Sequence, residues 1–302
     1  MRVLVTGASG FVGRVTCKEL SDRGHEVVAL VRRPGSEPEG TRAVNGDISS
    51  TDESELRDAV AEAQPAAVIH LAAEIASQRN QRKILATNVD GTRRLVAAAK
   101  AGGTEPKLVF CSTVVTGEAH GELLEPGKPL PVQTPYGRSK QEGEHVIAAS
   151  GLPHAIVRPS HVYGPGGWYE EEFVKRLRQP GRFAVIGRGD NWWDVVRVED
   201  VASALVAAAE RAPDGAVYHA ADDEPIRYYD FIALTAKALG VGPPRRIPAA
   251  LARLAAGRHA VTAVTRSARS SNALLKQQLG WQPRFPTAEV GVPDAVAGIR
   301  PA

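Results

Sequence analysis

The stretch Thr6-Gly-Ala-Ser-Gly-Phe-Val-Gly13 constrains this chain more than any other, because it joins an apolar run to a helical one. Arg2 to Thr6 reads as a short buried strand, and Phe11 to Arg23 as the helix after it. Glycines at such a turn bring backbone N–H groups against a pyrophosphate. Gly7 makes the tight turn, Gly10 permits close approach and Gly13 lets helix and strand pack. The backbone at Ser9, Phe11 and Val12 completes the expected cradle. The spacing is Gly-x-x-Gly-x-x-Gly, and three glycines alone also fit a plain structural turn. Strand, turn and helix in this order favour a dinucleotide site.

Alternation continues through the first two-thirds of the chain. Glu26–Val31, Arg42–Asn45, Ala66–Leu71, Lys107–Cys111 and His154–Val157 read as strands, and 52–63, 82–101 and 136–150 as helices. Apolar strands without polar alternation imply a parallel sheet covered on both faces. After Arg158 the pattern changes: Gly164-Pro-Gly-Gly167 breaks the chain, and prolines mark a loop-rich lobe. Asp194–Val198 and Ala216–His219 read as strands returning to the main sheet. The expected fold is α/β, a Rossmann-like doubly wound parallel sheet with a small C-terminal substrate lobe. Residues 1–159, with 193–222 returning, form the dinucleotide-binding domain; 160–192 and 223–302 form the lobe closing over the ligand.

Several functions are disfavoured by composition. A net charge of +3 over 302 residues, with Lys and Arg scattered, gives no nucleic-acid footprint. No apolar run reaches the ~20 residues that span a bilayer. Cys17 and Cys111 lack metal-like spacing and read as small buried residues of a reducing compartment. The first strand begins at residue 2, so a cytoplasmic protein without a membrane partner or bound metal is expected.

Tyr136-Gly-Arg-Ser-Lys140 puts a phenol and an ammonium one turn apart on a helix face. Free tyrosine has a pKa near ~10; a lysine nearby and a cationic nicotinamide would favour its phenolate. Tyr136 could then exchange a proton with a substrate oxygen while hydride moves at the adjacent carbon. Alone, the same pattern also fits an ordinary surface helix.

Together, Thr6–Gly13, Tyr136/Lys140 and Ser112-Thr113 resemble the extended short-chain dehydrogenase/reductases, the NAD-dependent epimerase/dehydratase family. The resemblance continues through Gly46-Asp-Ile48, Val68–Ala73, Thr87–Thr92, Val157-Arg-Pro159, Val162–Pro165, Val198–Val201 and Leu279–Pro283. It implies that Asp47 and Ile48 flank an adenine, and that Leu71, Ala72 and Ala73 line the ribose side. Asn88 would orient Lys140 through water, and Pro159 and Val162 would border the nicotinamide. Thr113 or Ser112 would hold the substrate oxygen. Counting from the strand selects Thr113 and counting back from Gly117 selects Ser112; Thr113 is favoured. Members of the family commonly dimerise through helices matching 82–101 and 136–150.

Departures from the family pattern sharpen this expectation. Where NAD enzymes carry an acid after the second strand, this chain has Arg32-Arg33, suited to the 2′-phosphate of NADP, although both could simply face water. Sugar-nucleotide members hold the diphosphate with an asparagine and an arginine. Here those positions are His161 and Trp193, and Trp168 lies in the adjoining lobe. An NADP-dependent oxidoreductase for a small, uncharged carbonyl compound or secondary alcohol is therefore expected. The alternatives are a nucleotide-sugar epimerase or dehydratase, and a non-catalytic dinucleotide-binding regulator.

Overall fold

A computed structural model describes residues 1–299 except 51, 79, 180, 182, 252–260, 262 and 263. Seven parallel strands form the central sheet: β1 Arg2–Thr6, β2 Glu26–Val31, β3 Arg42–Asn45, β4 Ala67–His70, β5 Lys107–Cys111, β6 His154–Pro159 and β7 Ala216–Ala220. Their order is β7-β6-β5-β4-β1-β2-β3. The winding reverses between β1 and β4, where Thr6 lies beside His70. Ligands of such sheets sit in the crevice beyond the carboxyl ends of the strands at this reversal.

Both sheet faces are dry, which is why the strands are apolar throughout. Val3, Val5, Ile69, Val109 and Val157 share one core with helices α1 (Phe11–Asp22) and α5 (Val198–Arg211), whereas Leu4, Val28, Val68, Leu108 and Ile156 share another with α2 (Glu53–Ala63), α3 (Gly91–Ala101) and α4 (Pro135–Ala148). A separate aromatic cluster, including Tyr163, Tyr169, Phe173, Trp193 and Phe231, fills the second lobe.

Two segments depart from the sequence reading. The helix expected over 82–101 is interrupted: Gln81–Leu85 is α-helical, Ala86–Asp90 is a π-turn and α3 follows. Such turns relax the i→i−4 ladder and collect at functional sites; Asn88 lies in this one. Val195–Arg197 does not rejoin the main sheet but pairs in parallel with His161–Tyr163. Its consecutive valines report burial, not which sheet supplies it.

Candidate active site

The glycine turn is closed too tightly for a side chain at Gly7 or Gly13. Gly7 has φ +68°, and a Cβ there would sit 2.7 Å from the Ala72 nitrogen; at Gly13 it would sit 2.1 Å from the Gly7 carbonyl oxygen. Gly10 caps α1 without a side-chain bond, and no acid occupies the first helical turn. The helix thus keeps its N-terminal donors for an external anion, so the residues fit a pyrophosphate. Phe11 packs its ring against Gly167, joining the turn to the second lobe. Thr6 Oγ1 accepts the N–H groups of Leu71 and Ala72, both at 3.2 Å, which fixes the β4 exit; Ala73 follows half-buried. Arg32 and Arg33 are exposed beyond β2, and neither forms an ion pair among the described residues. Asp47 folds back on Ser49, and the Ile48 side chain packs in the core against Gly91, leaving Asp47 as the half-buried edge.

Tyr136 owes its place to the start of α4. Thr134 accepts the Gly137 N–H with its side chain, and Pro135 occupies the first turn. Lys140 is buried, with Nζ 4.2 Å from the centroid of Phe110. One turn further, Glu144 grips Arg158 of β6 in two bonds of 2.8 and 2.6 Å, tying the catalytic helix to the sheet. Ser139 accepts from Asn88 Nδ2 at 2.9 Å and donates to the Tyr136 carbonyl. Asn88 also exchanges bonds with the backbone of Glu74. It therefore braces the helix directly, in addition to any role towards Lys140.

Tyr136 keeps part of its surface accessible, yet burial, aided by Cys111, pushes its phenol above the ordinary tyrosine range. Burial also lowers Lys140 from its ordinary value. Desolvation disfavours charge on both groups in the chain by itself, whereas the expected phenolate also draws on a bound cationic nicotinamide. The phenol is therefore poised as a proton donor. Cys17 is buried as expected, while Cys111 is only half-buried.

Thr113 Oγ1 donates to the Pro159 carbonyl at 3.3 Å and accepts from the Val115 N–H at 2.9 Å. Ser112 Oγ is buried without a partner among the described residues, and Ser112 lines a cavity of about 60 Å³ with Gln141, Glu144 and Arg158. Thr113 is thus fixed beside Pro159.

The structure gathers the three aromatic positions singled out at the substrate end. His161 stacks on Trp193 with centroids 3.7 Å apart and planes 19° apart, and Trp168 meets it edge-on at 6.4 Å. Trp193 is only 3% exposed and lies behind His161, so it supports the cleft without forming its surface. Val162 is half-buried beside Val196. Arg197, a possible phosphate ligand, is buried and committed to Glu199, Asp294 and the Gly291 carbonyl; exposed Arg188 pairs with Asp190. Sequence reasoning missed Glu144, His70, Asp194 and Arg266. Glu144 was legible as the next position on the Tyr136–Lys140 face; Arg266 comes from a remote segment and was not.

A glycine turn at the reversal of a doubly wound sheet, together with a Tyr–Lys pair on a half-buried helix, defines a short-chain dehydrogenase/reductase of the extended type. Comparison with known proteins agrees. The model for the NAD dependent epimerase/dehydratase family matches residues 3–221, and the chain belongs to that family. A 3-diazoavenalumate denitrifying reductase from a Streptomyces species is 32% identical, the alignment covering 97% of this chain and 99% of the relative. A 2-alkyl-3-oxoalkanoate reductase from Stenotrophomonas maltophilia is 31% identical over 81% and 77% of the respective chains. Among solved structures, the UDP-glucose 4-epimerase of Thermus thermophilus in complex with NAD has a TM-score of 0.82 at 26% identity, covering 99% of both chains. The protein is an NAD(P)-dependent enzyme of the oxidoreductase/epimerase type. No helix among the described residues is long and apolar enough to cross a membrane.

Proposed function

We propose that the chain is an NADP-dependent reductase or dehydrogenase acting on the carbonyl or secondary alcohol of a small, uncharged substrate. The carrying observation is the substrate end of the site: His161 backed by Trp193 stands where sugar-nucleotide relatives place diphosphate contacts, and Arg197 is locked in its own ion pairs. The full-length similarity to one reductase and the broad similarity to another support the same reading. In this reading the lobe formed by 160–192 and 223–302 closes over the cofactor, and the protein works as a cytoplasmic homodimer.

The glycine turn would hold the pyrophosphate, Asp47 and Leu71–Ala73 the adenosine side, Arg32 and Arg33 the 2′-phosphate, and Pro159 and Val162 the nicotinamide side. The bound dinucleotide supplies the hydride. Thr113, by releasing the Pro159 carbonyl, or Ser112, whose hydroxyl has no partner among the described residues, would donate to the substrate oxygen, and Tyr136 would give that oxygen its proton as negative charge develops. Lys140 holds the ribose and, once charge appears on the phenol, stabilises it. A phenol that holds its proton at neutral pH suits the reductive direction.

The test is NADPH oxidation against a panel of uncharged aldehydes and ketones. Tyr136→Phe should cut turnover by roughly 100- to 10,000-fold with cofactor affinity retained, and Lys140→Ala should weaken both. A Tyr136→Phe enzyme retaining most of its activity would remove Tyr136 from the proton transfer. Interconversion of a nucleotide sugar without net NADPH consumption would instead establish the epimerase reading, which similarity to the UDP-glucose 4-epimerase keeps in view.

A further inference from the structure

The segment 264–270 lies between the loop that follows Thr113 and the strand beside His161. Arg266, 4% exposed, donates from Nε to the Gly117 carbonyl at 2.7 Å and from Nη2 to the Val114 carbonyl at 2.9 Å. Its Nη1 donates at 3.2 Å to Oδ1 of Asp194, itself 2% exposed, while Ser270 donates to Oδ2. Asn191 holds the same segment through the carbonyls of Val264 and Arg266. His161 Nδ1 in turn donates to the Asp194 carbonyl at 2.9 Å and lies 3.5 Å from Oδ1 of the same residue. One buried guanidinium thus ties the Thr113 loop to the residue that orients the His161 ring.

A carbonyl oxygen can only accept, so Nδ1 must carry the proton of that bond. A neutral imidazole then has a lone pair, not a proton, on Nε2. Stacking on Trp193 opposes rotation of the ring, and the Nδ1 bond to the Asp194 carbonyl favours this orientation over the flipped one. No partner within the chain engages Nε2 among the described residues.

We propose that His161 is a specificity-determining residue whose Nε2 accepts a hydrogen bond from a hydroxyl or N–H of the substrate, and that Asp194 and Arg266 are its positioning residues. This rests on the reductase reading for what occupies the cleft. It narrows the substrate class to uncharged carbonyl compounds, or the alcohols formed from them, that carry a second, hydrogen-bond-donating group.

Long-range ¹H–¹⁵N spectra of histidine-labelled full chain with saturating NADP⁺ test this without requiring turnover. His161→Gln assigns the resonance. Wild type should show one tautomer, protonated at Nδ1, and phenol should shift its Nε2 signal more than anisole, which lacks the donor. Asp194→Asn and the milder Ser270→Ala should mix or broaden that tautomer while NADPH affinity stays unchanged. If Asp194→Asn does not fold, Ser270→Ala carries the comparison. An Nε2-protonated ring, no phenol shift, an equal anisole shift, a Ser270→Ala spectrum like wild type, or weakened NADPH binding in Ser270→Ala would each overturn the assignment. Those outcomes are separate from the reductase reading, which fails if no uncharged carbonyl compound drives Tyr136-dependent NADPH oxidation.

Discussion

At the scale of single residues, charge and burial give two measurable expectations. Arg32 and Arg33 stand exposed beyond β2, free of ion pairs among the described residues. Calorimetric titration should therefore show NADPH binding more tightly than NADH, each arginine contributing at most about 1.5–3 kcal/mol and less where water screens it. Equal affinities would mean that both merely face solvent. His70 gives the second. Thr6 Oγ1 receives two backbone N–H groups and must give its own proton to His70 Nδ1, at 2.6 Å. Thr92 donates to the Asn88 carbonyl, so it accepts from His70 Nε2 at 3.0 Å. Burial, then the charge of Lys140, lowers His70 to about 3. The unfolded chain therefore binds a proton that the folded chain refuses between about pH 6.5 and 3, and stability contributed by His70 falls as pH drops through that window. Denaturant unfolding at pH 7 and pH 4.5 should show a steeper loss for wild type than for His70→Asn. Equal slopes would show that His70 does not carry the effect.

At the scale of elements, the glycine turn is the least replaceable piece. Gly13→Ala places a methyl against the Gly7 carbonyl, a backbone atom that cannot swing aside. Dinucleotide binding should be lost in titration, and the variant should melt lower by the ~1–3 kcal/mol typical of overpacking. Wild-type cofactor affinity in that variant would mean that the turn opens elsewhere. This turn was fully legible in the sequence because its cause is local: three glycines between an apolar run and a helix. The Tyr136 helix was legible for the same reason, with Thr134 and Pro135 setting its start. The break at Ala86–Asp90 was not, since nothing in Ala-Thr-Asn-Val-Asp forbids a regular helix. Tertiary bonds from Asn88 to Glu74 and Ser139 accompany the break. Nor could Val195–Arg197 be assigned to its partner, because two valines specify a buried strand and not its neighbour.

At the scale of the whole molecule, the sheet with its two cores and the separate aromatic cluster are specified in different ways. The glycine turn and the Tyr–Lys pair belong to the sheet and the helices packed on it, and both were visible as motifs. Beside the aromatic cluster stand ion pairs whose members lie far apart in sequence, Arg266 with Asp194, both buried, and buried Arg197 with the more exposed Asp294. Such pairs leave no local pattern, so only the departures His161 and Trp193 pointed to a changed substrate. The measurement that bears most directly on that change is a thermal-shift screen in saturating NADP⁺, setting nucleoside-diphosphate sugars against uncharged carbonyl compounds bearing a hydroxyl. A ligand at 100 times its dissociation constant adds about 2.7 kcal/mol to folding stability, enough to raise the melting temperature by several degrees. The expected result is no shift with any nucleotide sugar at micromolar concentration and a rise with at least one uncharged carbonyl compound. A clear rise with a nucleotide sugar would contradict the reductase reading and establish a diphosphate site that His161 and Trp193 do not explain.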